Sequence, residues 1–120
     1  MTAPKVFDSE YRFCLILWEV EPINSTELVR ICKERLGWSK ATTYTVIRRL
    51  SERGILKNEN TIVSTLVTKE EVQTAQIDEM VEKTFEGSLP AFVAAFTKSR
   101  KLSERDIADI RRMIDEYEEG

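Results

Sequence analysis

The sequence predicts a mainly helical protein with one small β-hairpin, organised as residues 1–68 followed by a helical region over residues 69–120. Three observations lead there. Six stretches carry apolar residues at helical spacing, most of them opened by a capping residue and closed by glycine or proline. A single pair of β-prone runs lies between the third and fourth of them. The positive charge is gathered into one short block rather than spread along the chain.

The first helix is expected to start at Asp8 or Ser9, both good N-caps, and to run to about Val20 with Phe13, Cys14, Leu17 and Trp18 as its apolar stripe. Glu21-Pro22 stops it. Asn24-Ser25-Thr26-Glu27 has the N-cap and third-position glutamate of a capping box and opens a second helix, which Gly37 ends. Ser39 caps a third, running to about Arg53, with Thr43, Val46, Ile47 and Leu50 on one side and Tyr44, Thr45, Arg48 and Glu52 turned away. Only Leu36-Gly37-Trp38-Ser39 separates the second from the third, which is the length and chemistry of a helix-turn-helix junction. Trp38 is expected either to pack under that turn or to contact the DNA backbone, and packing is favoured because large aromatics in short turns are mostly core. The hairpin follows, from Ile55-Leu56-Lys57 and Ile62-Val63-Ser64-Thr65-Leu66-Val67 around Asn58-Glu59-Asn60-Thr61. Three helices and a hairpin in this order describe a winged helix-turn-helix.

Beyond it, Thr68-Lys69-Glu70-Glu71 opens a fourth helix carrying Ile77, Met80, Val81 and Phe85, and Gly87-Ser88 breaks it. A shorter helix carries Leu89, Phe92, Val93 and Phe96, and Ser103-Glu104-Arg105-Asp106 opens a last one with Ile107, Ile110, Ile114 and Tyr117. About fifty residues are too few to bury these stripes against one another. The apolar residues of the three helices, through Ile114, are therefore expected to pack against a second copy, making a homodimer.

Composition narrows the function. With 42% apolar and 32% charged residues the chain belongs with folded proteins, and no apolar run is long enough to span a bilayer, so no membrane insertion is expected. Met1-Thr2-Ala3-Pro4-Lys5 lacks a basic region leading into an apolar core, which points to the cytoplasm. There is no histidine, which removes Ser-His-Asp and Cys-His catalysis and every His-containing zinc site. Cys14 and Cys32 lack paired spacing and read as small buried apolar residues. Carboxylates are spread over helix faces, and neither a phosphate-cradling glycine loop nor a metal-spacing cluster is present, so no enzyme, metal or cofactor is expected.

The net charge of −3 conceals a segregation: residues 30–57 hold eight basic and two acidic side chains, whereas the segments on either side are acidic. Basic clusters often do no more than solvate a helix, but here Lys40, Arg48, Arg49 and Arg53 lie on or beside the helix that a helix-turn-helix inserts into the major groove. Thr42, Tyr44, Thr45 and Arg48 are placed to reach base edges, and Arg49 and Arg53 to meet phosphates. Ser39 and the first amides of that helix offer a further phosphate contact, alongside the plain capping role of Ser39. The partner implied is double-stranded DNA.

At this point the chain resembles the penicillinase-repressor family, the dimeric regulators of β-lactamase and methicillin-resistance genes whose copper-responsive relatives control copper export. The residues that carry the resemblance are Ile16-Leu17-Trp18, Trp38-Ser39 with Thr42, Thr45, Arg49 and Leu50, and Gly54 with Leu56. Further along they are Leu66-Val67 with Glu70-Glu71, then Phe85, Gly87-Ser88, Lys101-Leu102-Ser103 and Asp106-Ile107. It implies a transcriptional repressor bound as a homodimer to a palindromic operator, with repression relieved when a membrane-bound sensor metallopeptidase, or a protease downstream of it, has the repressor cut. The family's cleavage point in the fifth helix corresponds to Ala95-Phe96, with Ala95 where the family has asparagine. The wing is shorter than the family's, with Asn58, Glu59 and Asn60 in place of a basic, glycine-containing tip. Ala41 stands where lysine is common, and the cysteine-rich tail of the copper-responsive branch is absent. The rival reading is a dimerising protein-interaction module on a winged-helix scaffold, without sequence-specific DNA binding.

Overall fold

The computed structural model describes residues 5–99 and 101–118. Met1, Thr2, Ala3 and Pro4, read above as lacking an export signal, lie outside the described residues. The chain divides between Glu79 and Met80 into two compact units, so the first unit includes the opening turns of the fourth helix.

In the first unit the order is α1 (Asp8–Val20), β1 (Ile23–Asn24), α2 (Ser25–Leu36), α3 (Lys40–Glu52), β2 (Leu56–Glu59) and β3 (Ile62–Thr65), followed by α4 (Lys69–Phe85), which crosses the division. The helix α1 starts at Asp8, within the expected range, but its cap differs from expectation. Asp8 lies inside the helix and Phe7 holds the cap position, where its amide donates to Glu10 Oε1 at 3.0 Å. Glu10 thus does from within the first turn what a capping side chain does from outside it. The other two starts follow the sequence: Asn24 accepts from the Thr26 amide at 2.9 Å, and Ser39 Oγ accepts from the Thr42 amide at 3.1 Å. Gly37, at φ 70°, closes α2 with a left-handed residue, and its amide donates to the Lys33 carbonyl at 3.1 Å.

Phe13, Cys14 and Leu17 of α1, Leu28 and Cys32 of α2 and Leu50 of α3 are fully buried together with Ile55 and Val63, which places the core between the three helices and the sheet. Trp38 stacks on Phe13 with ring centroids 5.9 Å apart, so it packs under the turn between α2 and α3. Trp18 donates from Nε1 to the Val67 carbonyl at 3.1 Å, tying α1 to the chain leaving the sheet. Both cysteines are reduced and buried, and burial pushes the Cys14 thiol up to about 12 and that of Cys32 up to about 11.

The sheet has three strands in the order β1-β3-β2, all antiparallel. The hairpin was expected; β1 was not, being two residues that pair Ile23 with Val63 and Asn24 with Ile62. The hairpin turn is also tighter than the sequence suggests. Asn58 and Glu59 belong to β2, Glu59 pairs with Ile62, and the turn is Asn60-Thr61 with φ of 52° and 67°. Two successive positive φ values are what a two-residue hairpin turn of type I′ requires.

The second unit holds the rest of α4, then α5 (Leu89–Ser99) and α6 (Glu104–Asp115). Thr68 caps α4 by accepting from the Glu71 amide at 3.0 Å, and Ser103 caps α6 by accepting from the Asp106 amide at 3.0 Å. Phe92 joins α5 to the end of α4 through an edge-to-face contact with Phe85, centroids 5.7 Å apart. Neither α5 nor α6 contains a buried residue.

Candidate nucleic-acid interface

Local pairing decides which of the clustered basic side chains are available. On α2, Arg30 is held between Glu27 and Glu34, and Arg35 meets Glu19 of α1 at 3.3 Å. On β2, Lys57 lies 3.8 Å from Glu59. Arg53, which the sequence suggested as a phosphate contact, makes a two-pronged pair with Glu10: Nη2 donates to Oε1 at 2.7 Å and Nη1 to Oε2 at 2.9 Å. The same guanidinium donates to the Lys5 carbonyl and lies over the Phe7 ring, so Arg53 fastens the N-terminal segment to the end of α3. The Arg53 hydrogen bonds hold the Glu10 carboxyl below the usual carboxylate range against the opposing effect of burial. Of the eight basic residues in the block, Lys33, Lys40, Arg48 and Arg49 have no ion-pair partner among the described residues, and three of those four are on α3.

The backbone of α3 sorts its side chains into two faces. Thr43, Ile47 and Leu50 are buried, and the Thr43 hydroxyl donates to the Ser39 carbonyl at 3.0 Å, which satisfies it inside the core. Opposite them, Ala41, Thr45 and Arg48 follow one another at spacings of four and three, which aligns them along the outer face. Ser39, Lys40 and Thr42 are exposed at the start of the helix, and Arg49 is exposed further along. Thr45 is half-buried. Ala41, which the sequence marked only by the lysine it lacks, is central to this face. Tyr44 is turned toward α2: it packs on the core cluster and its hydroxyl donates to Ser25 Oγ at 3.3 Å. The structure therefore brings Ser39, Lys40, Thr42, Thr45, Arg48 and Arg49 together on one exposed surface and directs Tyr44 and Arg53 into internal contacts. Neither internal partner, Ser25 or Glu10, was singled out in the sequence, because each is far from its mate along the chain.

A second surface lies in the second unit. Phe92, Val93 and Phe96 of α5 face Leu102 and Ile107 and Ile110 of α6 across an open apolar groove of about 520 Å³. Leu89, Val93, Ile110 and Ile114 are exposed large apolar residues, as are Met80 earlier in this unit and Ile77 in the first unit, while Val81 is buried within the chain and Phe85, Phe92 and Ile107 are half-buried. Ala95 and Phe96 are both exposed on α5. Among the described residues no group of histidine, cysteine, aspartate or glutamate is placed to hold a metal ion, and no helix is long and apolar enough to cross a membrane.

Comparison with known proteins agrees with this architecture. The family profile described as Penicillinase repressor matches residues 8–116. The penicillinase repressor of Bacillus licheniformis is 20% identical, with 95% of this chain and 92% of the relative aligned. The methicillin resistance regulatory protein MecI of Mammaliicoccus sciuri is 21% identical over 92% of this chain and 93% of its own length. Among solved structures, the DNA binding domain of the repressor BlaI superimposes with a TM-score of 0.51 at 24% identity, covering 59% of this chain and 93% of that one. The monomeric form of Bacillus licheniformis BlaI in complex with the blaP half-operator gives the same TM-score of 0.51 at 22% identity, over 58% of this chain and 90% of that one.

Proposed function

The chain belongs to the penicillinase-repressor family, and from that premise we propose that it is a transcriptional repressor that binds double-stranded operator DNA as a homodimer. The observation that carries this reading is the concentration of unpaired positive charge on the outer side of α3. Lys40, Arg48 and Arg49 make no ion pair among the described residues, although the chain as a whole is acidic. Thr42, Thr45 and Arg48 face base edges, with hydroxyl and guanidinium groups suited to donor and acceptor patterns in the major groove. Arg49, Lys40 and the first amides of α3 beside Ser39 face phosphates. Arg53 is left out of this set, because its guanidinium is committed to Glu10.

The homodimer rests on the second unit, where α5 and α6 leave their apolar residues uncovered. A dimer with two α3 helices reads two half-sites one helical turn apart, or a multiple of it, hence a palindromic operator. Relief by a membrane-bound sensor metallopeptidase, or by a protease downstream of it, would act at the exposed Ala95-Phe96 bond of α5.

The test is equilibrium binding of the purified protein to its own promoter-region duplex and to a scrambled duplex across a salt series. Preference for a palindromic segment, with affinity falling steeply with salt as phosphate counterions are released, supports the repressor. Sequence-blind or salt-insensitive binding refutes it and favours a protein-interaction module.

A further inference from the structure

Tyr44 lies on the part of α3 that carries Thr45 and Arg48, yet it does not point outward with them. Its ring packs on the core cluster and its hydroxyl donates to Ser25 Oγ at 3.3 Å. Ser25 is itself fixed. It is 3% exposed at the start of α2, and its amide donates to the Thr61 carbonyl in the hairpin turn at 2.8 Å. Thr61 is held again through its hydroxyl, which accepts from Asn24 Nδ2 at 3.2 Å. One run of hydrogen bonds therefore leads from α3 through the start of α2 to the hairpin turn.

The consequence concerns the roll of α3 about its own axis. The buried residues Thr43, Ile47 and Leu50 hold the inner face, but an apolar contact resists a small rotation only weakly, whereas a hydrogen bond is directional. Tyr44 is on the flank of the helix, one residue before Thr45 and one turn before Arg48, where a rotation about the axis changes the distance and angle of its hydroxyl to Ser25 on α2. We infer that Tyr44 is a positioning residue for DNA recognition: through Ser25 it fixes the roll of α3 and so the aim of Thr45 and Arg48 at base edges. This rests on the DNA-binding reading above and deepens it. Non-specific attachment, which depends on the charges of α3 and not on their aim, should be indifferent to Tyr44, whereas discrimination between sequences depends on it.

The experiment uses the full chain and compares wild type with Tyr44→Phe, Ser25→Ala and the double variant. Dissociation constants are measured on the preferred promoter segment, on scrambled duplex, and on segments substituted one base pair at a time. The expected result is a five- to tenfold fall in the ratio of specific to scrambled affinity for each single variant, about the value of one hydrogen bond, with scrambled binding unchanged. The double variant should be no worse than either single, since both remove the same bond. The preferred base should stay the same at every position. A changed base preference in Tyr44→Phe would make the tyrosine a direct reader and overturn the inference, as would multiplying effects or an inert Ser25→Ala. Wild-type protein that prefers no duplex would overturn the DNA-binding reading and this inference with it, an outcome recognisable before any variant is tested.

Discussion

Replacing Arg53 by methionine should destabilise the protein by an amount that depends on pH in a defined direction. Methionine keeps most of the length that covers Phe7, so the change chiefly removes charge and hydrogen bonds. It strips Glu10 of both donors, at 2.7 and 2.9 Å, and leaves a carboxylate whose side chain is 9% exposed with only the Phe7 amide. Removing one partner of a buried pair costs about 3–5 kcal/mol, and because the Arg53 end is 31% exposed and partly hydrated the lower end applies, about 3 kcal/mol at pH 7. In the wild type the Glu10 pKa is lowered, first by the Arg53 hydrogen bonds. Its contribution to stability is therefore complete above the unfolded-state value near 4.5 and is lost as pH falls through the lower folded-state value. In the variant burial still raises the Glu10 pKa while the Phe7 amide and the charge of Arg49 still lower it, so without Arg53 the folded-state pKa moves up toward the unfolded one and acid costs the variant less than it costs the wild type. The gap between the two proteins should then shrink to about 1 kcal/mol near pH 4. With a urea slope of about 2 kcal/mol per molar for a chain of this size, the midpoint should drop by about 1.5 M at pH 7 and about 0.5 M at pH 4. Urea unfolding followed by circular dichroism at one fixed protein concentration measures both. An equal shift at the two pH values would refute the account of Glu10 as a carboxylate held ionised by Arg53.

Other outcomes follow from the same geometry. Arg49→Ala should reduce the slope of log affinity against log salt on operator duplex by about one, as loss of a phosphate contact requires, whereas Arg53→Met should leave the slope unchanged. Trp18→Phe removes the donor to the Val67 carbonyl and should lower stability by about 1–2 kcal/mol in the same urea assay. Cys14 and Cys32, with thiols pushed up to about 12 and about 11 by burial, should resist Ellman's reagent at pH 8 in the folded protein and react fully in denaturant. Ile114→Asp, which charges an exposed apolar position of α6, should convert a dimer to monomer in sedimentation velocity without loss of helix content.

Much of the architecture was legible because it is written in local signals. Asn24, Ser39, Thr68 and Ser103 sit at the helix starts their side chains favour, and Gly37 ends α2 with the positive φ that glycine tolerates. The helix α1 starts at Asp8 as expected, but its cap was misassigned because the capping bond runs from the amide of an apolar residue, Phe7, to a glutamate in the first turn. Strand β1 escaped notice because a two-residue strand has no alternation to detect, and only pairing with β3 defines it. The hairpin turn was drawn too wide because Asn58 and Glu59 are poor strand formers that cross-strand pairing nonetheless holds in β2. In the candidate interface, helix periodicity located the exposed face of α3, but the parts taken by Tyr44 and Arg53 depend on mates 19 and 43 residues away. No local pattern records such a pairing.

The glutamates flanking Arg30 have a consequence for how this protein can change over generations. Arg30 is exposed yet answered on both sides within its own helix, by Glu27 one turn before it and Glu34 one turn after, so its positive charge is more than offset on the surface of α2. A single substitution of either glutamate by a neutral residue would remove one negative charge from α2, leaving Arg30 paired with the other, without altering α3. Attraction to DNA could then strengthen while the sequence being read stayed the same, since the phosphate backbone rewards charge regardless of base order. Selection would have one dial for how tightly the protein holds DNA and another for which sequence it holds, on separate helices.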